Sequence, residues 1–412
     1  MLAGNLSEQF AVYRSKHTKL YLLGVMLFFW AIFDASFSYM VPVVITASGY
    51  SRTFMGLIYG SSSLFGAALD LLLSKFLHNA HFRRIYLVMF GLCFLSPVLL
   101  LRGNPVFVFV GAMALWGFYY DLFNFGNIDF VSRKSAPKEH SHFFGVIWVF
   151  RSLGYAIGPL IIGAVVAEVA DFKPYLLMWL FVALAFVLFL VLLHLDHQQP
   201  EIEYLSERKK RTHLSLHQRT IMLKLGRAFL PVLLLTMFFW IFDAFFWTLG
   251  PLMSEVLSSL HLESGIFLTL YSVPPIILSF LVGQVNKKLG KKRTARLAIY
   301  FACIVLLFFF VVHNPVLIAL GVVCAASSIA FAMPSLNSAY ADYVIRNPQF
   351  ETEIEALQDF ATNTGYVIGP ILAGFLADKV GNLHSFGVLG VIGIGFVTFS
   401  KLLTHGKIRG KV

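Results

Sequence analysis

Charge is what this chain has least of: only 13% of its 412 residues are Asp, Glu, Lys or Arg. A soluble domain carries roughly a quarter charged residues, so too few are present to clothe a water-facing surface of the necessary area. Lipid is therefore expected to cover much of the outside. Cysteine is nearly absent, and Cys93, Cys303 and Cys324 all lie in apolar stretches, which reads as small buried hydrophobes rather than a disulfide framework. The signatures of chemistry are missing as well. No H-E-x-x-H, G-x-S-x-G or phosphate-binding glycine loop occurs, and His81, His140 and His142 lack the spacing of a metal cluster. Neither an enzyme nor a protein with a metal or organic cofactor is expected.

What is abundant is apolar: 58% of residues are hydrophobic and 43 are Phe. A helix crosses the hydrocarbon in about twenty residues, and only helices or closed barrels satisfy their backbone there. Stretches of that length fall at 20-43, 53-77, 84-101, 105-130, 143-167 and 175-194, then at 228-252, 262-284, 296-312, 315-341, 357-377 and 384-403. Arg14, Lys16 and Lys19 precede the first, which is too long for a signal peptide's apolar region and reads as a retained span. If the chain starts in the cytoplasm, 27 of the 32 Lys and Arg residues fall on the inner side. This imbalance predicts that both termini are cytoplasmic, and the plasma (inner) membrane is the expected location. It also explains the net charge of +11 by attraction to a bilayer face, without nucleic acid as a partner.

The six-plus-six arrangement predicts an all-α integral membrane protein with an N-terminal bundle at 1-194, a cytoplasmic linker at 195-227 and a C-terminal bundle at 228-412. The linker carries the run Arg208-Lys209-Lys210-Arg211. The halves repeat one another. Phe28 to Ala35, with Asp34, is echoed by Phe238 to Ala244, with Asp243, and the two acids are offset by 209. Asn124, Asp129 and Arg133 are echoed by Asn337, Asp342 and Arg346 at an offset of 213. Gly154-Tyr155-Ala156-Ile157-Gly158-Pro159 is echoed by Gly365-Tyr366-Val367-Ile368-Gly369-Pro370 at 211. Matches in one order at nearly one offset indicate duplication. Six spans separate the copies, so they share one orientation, and a cavity between the halves is expected.

Twelve spans, a basic central linker and these motifs together resemble the major facilitator superfamily over essentially the whole chain. Its signature after the second and eighth spans is similar to Gly66 and Asp70 in the first half and to Gly283, Lys288, Gly290, Lys291 and Lys292 in the second. Lys287 stands where the second copy would carry an acid. In the family this set acts as a conformational latch, so gate roles are implied for Gly66, Asp70, Gly283, Lys288, Gly290 and Lys291. Gly154, Gly158 and Pro159, with Gly365, Gly369 and Pro370, resemble the fifth-span motif of proton-coupled exporters. The fourth-span Arg of that branch has no counterpart, because Tyr119-Tyr120-Asp121 stands in its place.

A charge at mid-membrane costs several kcal/mol unless it meets a partner, water or a proton. Asp34, Asp121, Arg151 and Asp243 carry that cost and are the candidates for proton coupling, with Asp34 leading and Arg151 changing partner between states. Trp30, Asp34 and Ser38 lie four apart on one helix face, as do Asp243 and Trp247. Trp30, Ser38, Tyr120, Asn124, Trp240, Trp247 and Asn337 are the candidates for solute contact. Asp129, Arg133, Asp342 and Arg346 are expected as charge pairs or gate contacts. The reading is a monomeric secondary transporter of a small organic solute, powered by a proton gradient and exporting by antiport. The alternatives are uptake by symport, or an uncoupled facilitator or non-transporting receptor of the same fold.

Overall fold

Long apolar runs punctuated by glycine, proline and short polar turns become helices end to end. The computed structural model describes residues 2-76, 81-103, 105-136, 139-166, 172-197, 216-253 and 265-405. In chain order the helices are α1 (Leu2–Ala47), α2 (Arg52–Phe76), α3 (Phe82–Arg102), α4 (Val106–Lys134), α5 (His140–Val165) and α6 (Lys173–His197). They continue with α7 (Leu216–Leu249), α8 (Ile266–Leu289), α9 (Lys291–Phe310), α10 (Pro315–Arg346) and α11 (Pro348–Val380), and end with α12 (Asn382–His405). Among the described residues eleven are long and apolar enough to cross a membrane, and α2, with 25 residues, makes the twelfth helix. The linker expected at 195-227 lies mostly outside the described residues, with α6 reaching His197 and α7 beginning at Leu216.

Helix ends follow from local chemistry. The Asn314 side chain accepts from the Val316 N–H at 2.9 Å and starts α10, with Pro315 in the first turn. Gly290 takes φ +84°, a left-handed turn that ends α8 and lets α9 begin one residue later. Pro274 and Pro275 lie inside α8, which passes through a tight 3-10 turn at Ser279–Leu281.

Contacts divide the chain into two compact units: residues 1-38 with 65-211, and residues 39-64 with 212-412. The second unit thus takes in 39-64, which the sequence groups with the first six spans. The packing of α2 on α11 accounts for it. A Cβ on Gly56 would collide with the Pro370 carbonyl, and one on Gly60 would stand 2.9 Å from the Val367 carbonyl oxygen. Asp378 completes the contact by accepting from the Arg52 and Thr53 N–H groups (3.1 and 2.8 Å) and from the Thr53 hydroxyl (2.6 Å), capping α2.

Within unit 1, the buried carboxylate of Asp196 gathers Lys19 (3.0 Å), Arg83 (2.6 Å) and Lys134 (2.6 Å), tying α1, α3, α4 and α6 together at one end. A carboxylate without solvent contact needs such neighbours to stay charged. The unit 2 core interleaves phenylalanine with small and branched residues, with Phe238, Phe242, Phe246, Phe267 and Phe386 fully buried. In lipid the hydrophobic effect does not drive helices together, so interlocking of this kind has to hold them. Outward-facing apolar side chains such as Phe107 and Phe280 are correspondingly exposed.

Candidate functional site

Small residues decide where the site forms. On α5, a Cβ added to Gly154 would lie 2.6 Å from both the Ala31 Cβ and the Phe28 carbonyl oxygen, and one on Gly158 would lie 2.7 Å from the Ala35 Cβ. On α11, Gly365 stands equally close to the Trp240 Cβ and the Met237 carbonyl, and Gly369 to the Ala244 Cβ. In each unit the fifth helix is thus pressed onto the first, and the tyrosine between the glycines is delivered to the first helix's acid. Tyr155 donates to Asp34 Oδ2 at 2.5 Å, and Tyr366 donates to Asp243 Oδ2 at 3.0 Å.

The remaining donors differ between the units. In unit 1, α4 supplies Trp116 Nε1 at 3.0 Å and the Tyr119 hydroxyl at 2.7 Å, both to Asp34 Oδ1. In unit 2, α8 supplies the Tyr271 hydroxyl at 2.7 Å to Asp243 Oδ1. Asp34 is 2% exposed, whereas Asp243 is half-buried. Arg151 lies close enough to Asp34 to attract it electrostatically. Its guanidinium sits over the rings of Trp148 (4.6 Å), Phe123 (5.7 Å) and Tyr155 (5.9 Å), aromatic faces that attract a cation.

The glycine contacts also fix which residues are equivalent. Phe28 corresponds to Met237, Ala31 to Trp240, Asp34 to Asp243 and Ala35 to Ala244, all at one offset. Trp30 and Trp240 are therefore not counterparts, although the matching Phe-Phe-Trp runs suggest it. Trp30 is fully buried, stacked on Phe123 at 3.9 Å. Trp240, one position further round its helix, is half-buried and packs on Tyr366 at 4.9 Å.

Other sequence candidates scatter. Asp121 on α4 faces Gly66 on α2, where a Cβ would come within 2.7 Å of its Oδ2. Tyr120 borders Trp30 (6.2 Å) and Asn124 is half-buried, while Ser38 is 4% exposed. Trp247 packs against the unit 2 core, and Asn337 is exposed and accepts from Gln358 Nε2 at 3.0 Å. Asp129 accepts from Arg133 (2.9 Å) and from the Phe82 N–H (2.8 Å), anchoring the start of α3. Its counterpart Asp342 pairs with Lys291 (2.6 Å), anchoring the start of α9, while Arg346, Lys288 and Gly283 are exposed. The Asp70 side chain lies outside the described residues. Pro159 and Pro370 stay inside continuous helices. Trp116, Tyr119, Tyr155, Tyr271 and Tyr366, which actually touch the two acids, were not among the candidates. The one signal for them was that Tyr155 and Tyr366 recur at the repeat offset.

A sequence model described as Major Facilitator Superfamily matches residues 23-348 and 232-408. No curated protein sequence matches the chain. Among solved structures, that of the nucleoside transporter NupG is similar with TM-score 0.72 at 13% identity, over 95% of this chain and 100% of that one. A POT family transporter in complex with a thioalcohol-conjugated peptide gives 0.73 at 14%, over 94% and 96%. A bacterial homolog of the human lysosomal transporter Spinster gives 0.69 at 14%, over 94% and 97%. At these identities the likeness is one of fold.

Proposed function

The chain belongs to the major facilitator superfamily, whose members are transporters rather than enzymes, and on that premise we propose that it carries a small organic solute across the membrane by proton-coupled alternating access. The observation that carries this reading is the pair of equivalent carboxylates, Asp34 and Asp243, each held by the tyrosine of a repeated motif. A structural polar tie would need one such acid. Retaining it in both copies, at the cost of two charges within membrane helices, points to work done by the carboxylates.

Asp34 is the leading proton carrier. Three neutral donors and the nearby Arg151 support its anionic form, so proton uptake would give up the attraction of Arg151 and need one tyrosine hydroxyl to turn from donor to acceptor, while the fixed indole N–H can go on donating. Arg151, resting on aromatic faces, can lean toward or away from the acid as it titrates. Net transport is read as export by antiport, supported by the resemblance of the Gly154 to Pro159 motif to that of proton-coupled exporters. The membrane is read as the plasma (inner) membrane.

Purified protein in liposomes, offered a panel of solutes under an imposed pH gradient, tests this. Solute should move against the proton current, and Asp34→Asn should abolish gradient-driven flux while solute exchange at equal pH persists. Full pH-driven transport by the Asn variant would remove Asp34 from the role. Solute moving with the protons would replace antiport by symport.

A further inference from the structure

The two units treat the basic residues at one end of their bundles differently. In unit 1 the buried Asp196 carboxylate takes up Lys19, Arg83 and Lys134. The offset of 209 that relates Asp34 to Asp243 also relates the first residues of α3 and α9, Phe82 and Lys291, and those of α6 and α12, Lys173 and Asn382. By that offset Arg83 corresponds to Lys292, whereas Asp196 corresponds to His405, and α12 contains neither Asp nor Glu. Unit 2 thus keeps the cation and lacks the acid that absorbs it.

The consequence lies where α8 turns into α9. Lys287, Lys288, Lys292 and Arg293 are exposed, and none of them makes an ion pair among the described residues. Asp342, the acid beside them, is taken by Lys291 at 2.6 Å. Lys292 rests on the Tyr343 ring at 4.6 Å, and that ring stacks on Phe229 of α7 at 4.0 Å. An aromatic face attracts a cation but leaves its charge uncancelled. Four like charges within seven positions repel one another, and an anion shared among them relieves that repulsion. The stretch of α8 leading into them is apolar and open, with Ile277, Phe280 and Leu281 respectively 64%, 77% and 44% exposed.

We propose that this turn binds an anionic membrane phospholipid. The headgroup phosphate meets Lys288, Lys292 and Arg293, whose guanidinium can grip two phosphate oxygens at once, and the acyl chains lie along the apolar side chains of α8. The phosphate does in unit 2 what the Asp196 carboxylate does in unit 1. A soluble anion would meet the charges and gain nothing from Phe280 and Leu281, so the occupant is a lipid. The turn belongs to the side expected to be cytoplasmic, where basic segments meet anionic headgroups. Nothing in this inference depends on the transport reading, and it is tested without flux.

The test counts lipids retained on purified full-length protein by native mass spectrometry from detergent, at fixed ionic strength. The probes are dioleoylphosphatidylglycerol, dioleoylphosphatidylcholine, which has the same chains and no net charge, and inorganic phosphate, which has no chains. Phosphatidylglycerol should bind at least roughly tenfold more tightly than phosphatidylcholine, and millimolar phosphate should not displace it. Lys292→Gln combined with Arg293→Gln should erase that preference. Lys287→Gln combined with Lys288→Gln should reduce it, and keeps the test available if the first pair does not fold. Arg102→Gln combined with Lys379→Gln removes two exposed cations, without ion pairs among the described residues, from the far ends of α3 and α11, and should leave the preference unchanged. Wild-type protein that retains both lipids alike would overturn the inference, as would either pair at the turn that keeps the full preference. An equal loss from the Arg102 and Lys379 pair would also overturn it, since net charge and not a site would then explain the binding. Displacement by phosphate would replace the lipid with a free anion.

Discussion

Asp34 shows how a single side chain can be indispensable in two ways at once. Its oxygens collect Trp116, Tyr119 and Tyr155 from α4 and α5, so its removal takes the acceptor from the buried Tyr119 hydroxyl, a loss of about 1 to 3 kcal/mol, and from the half-buried Trp116 and Tyr155, which can recover part of theirs. Asp34→Ala should therefore melt well below Asp34→Asn in the same detergent, because the amide keeps one acceptor oxygen. Equal melting temperatures would show that the donors find other partners. The sequence singled out this acid because a mid-membrane charge is costly. It passed over the phenols that hold it, since a tyrosine in an oily run resembles any other aromatic until its hydroxyl's destination is known. Tyr155 and Tyr366 were the exceptions in principle, because both copies keep them between the same glycines.

At the scale of elements, the fifth helix of each unit is positioned by glycine, and α5 contains its own control. Gly154 meets the α1 backbone, whereas a Cβ on Gly145 would have nothing within 4 Å. Gly154→Val should fail to yield folded protein, or unfold at far lower temperature. Gly145→Ala should be neutral or stabilising by up to about 1 kcal/mol, the helix-propensity difference. Matching losses from both would mean that α5 needs flexibility rather than close approach. The same contacts expose a limit of reading repeats by eye. The Phe-Phe-Trp runs of α1 and α7 align best one residue out of structural register, and one residue on a helix is a rotation of about 100°. That slip separates an enclosed Trp30 from a Trp240 that borders Asp243.

For the whole molecule, the distribution of basic residues makes a claim independent of any site. With 27 of 32 Lys and Arg on one side of the predicted spans, alkaline phosphatase fused after Val412 should be inactive and a fluorescent protein there bright. The opposite pair of results would invert the topology. The sequence by itself determined the twelve-helix membrane fold, the family and the duplication, because hydropathy and repeat spacing are properties of neighbouring residues along the chain. Only the tertiary structure decided that 39-64 packs with the second unit, that Asp129 and Asp342 anchor the starts of α3 and α9, and that the two acids differ in enclosure. Those outcomes depend on side chains dozens to hundreds of residues apart arriving at one point, and on the rotation of each helix about its axis. Composition and spacing constrain these only loosely, because every face of an oily helix looks alike until a neighbour packs against it.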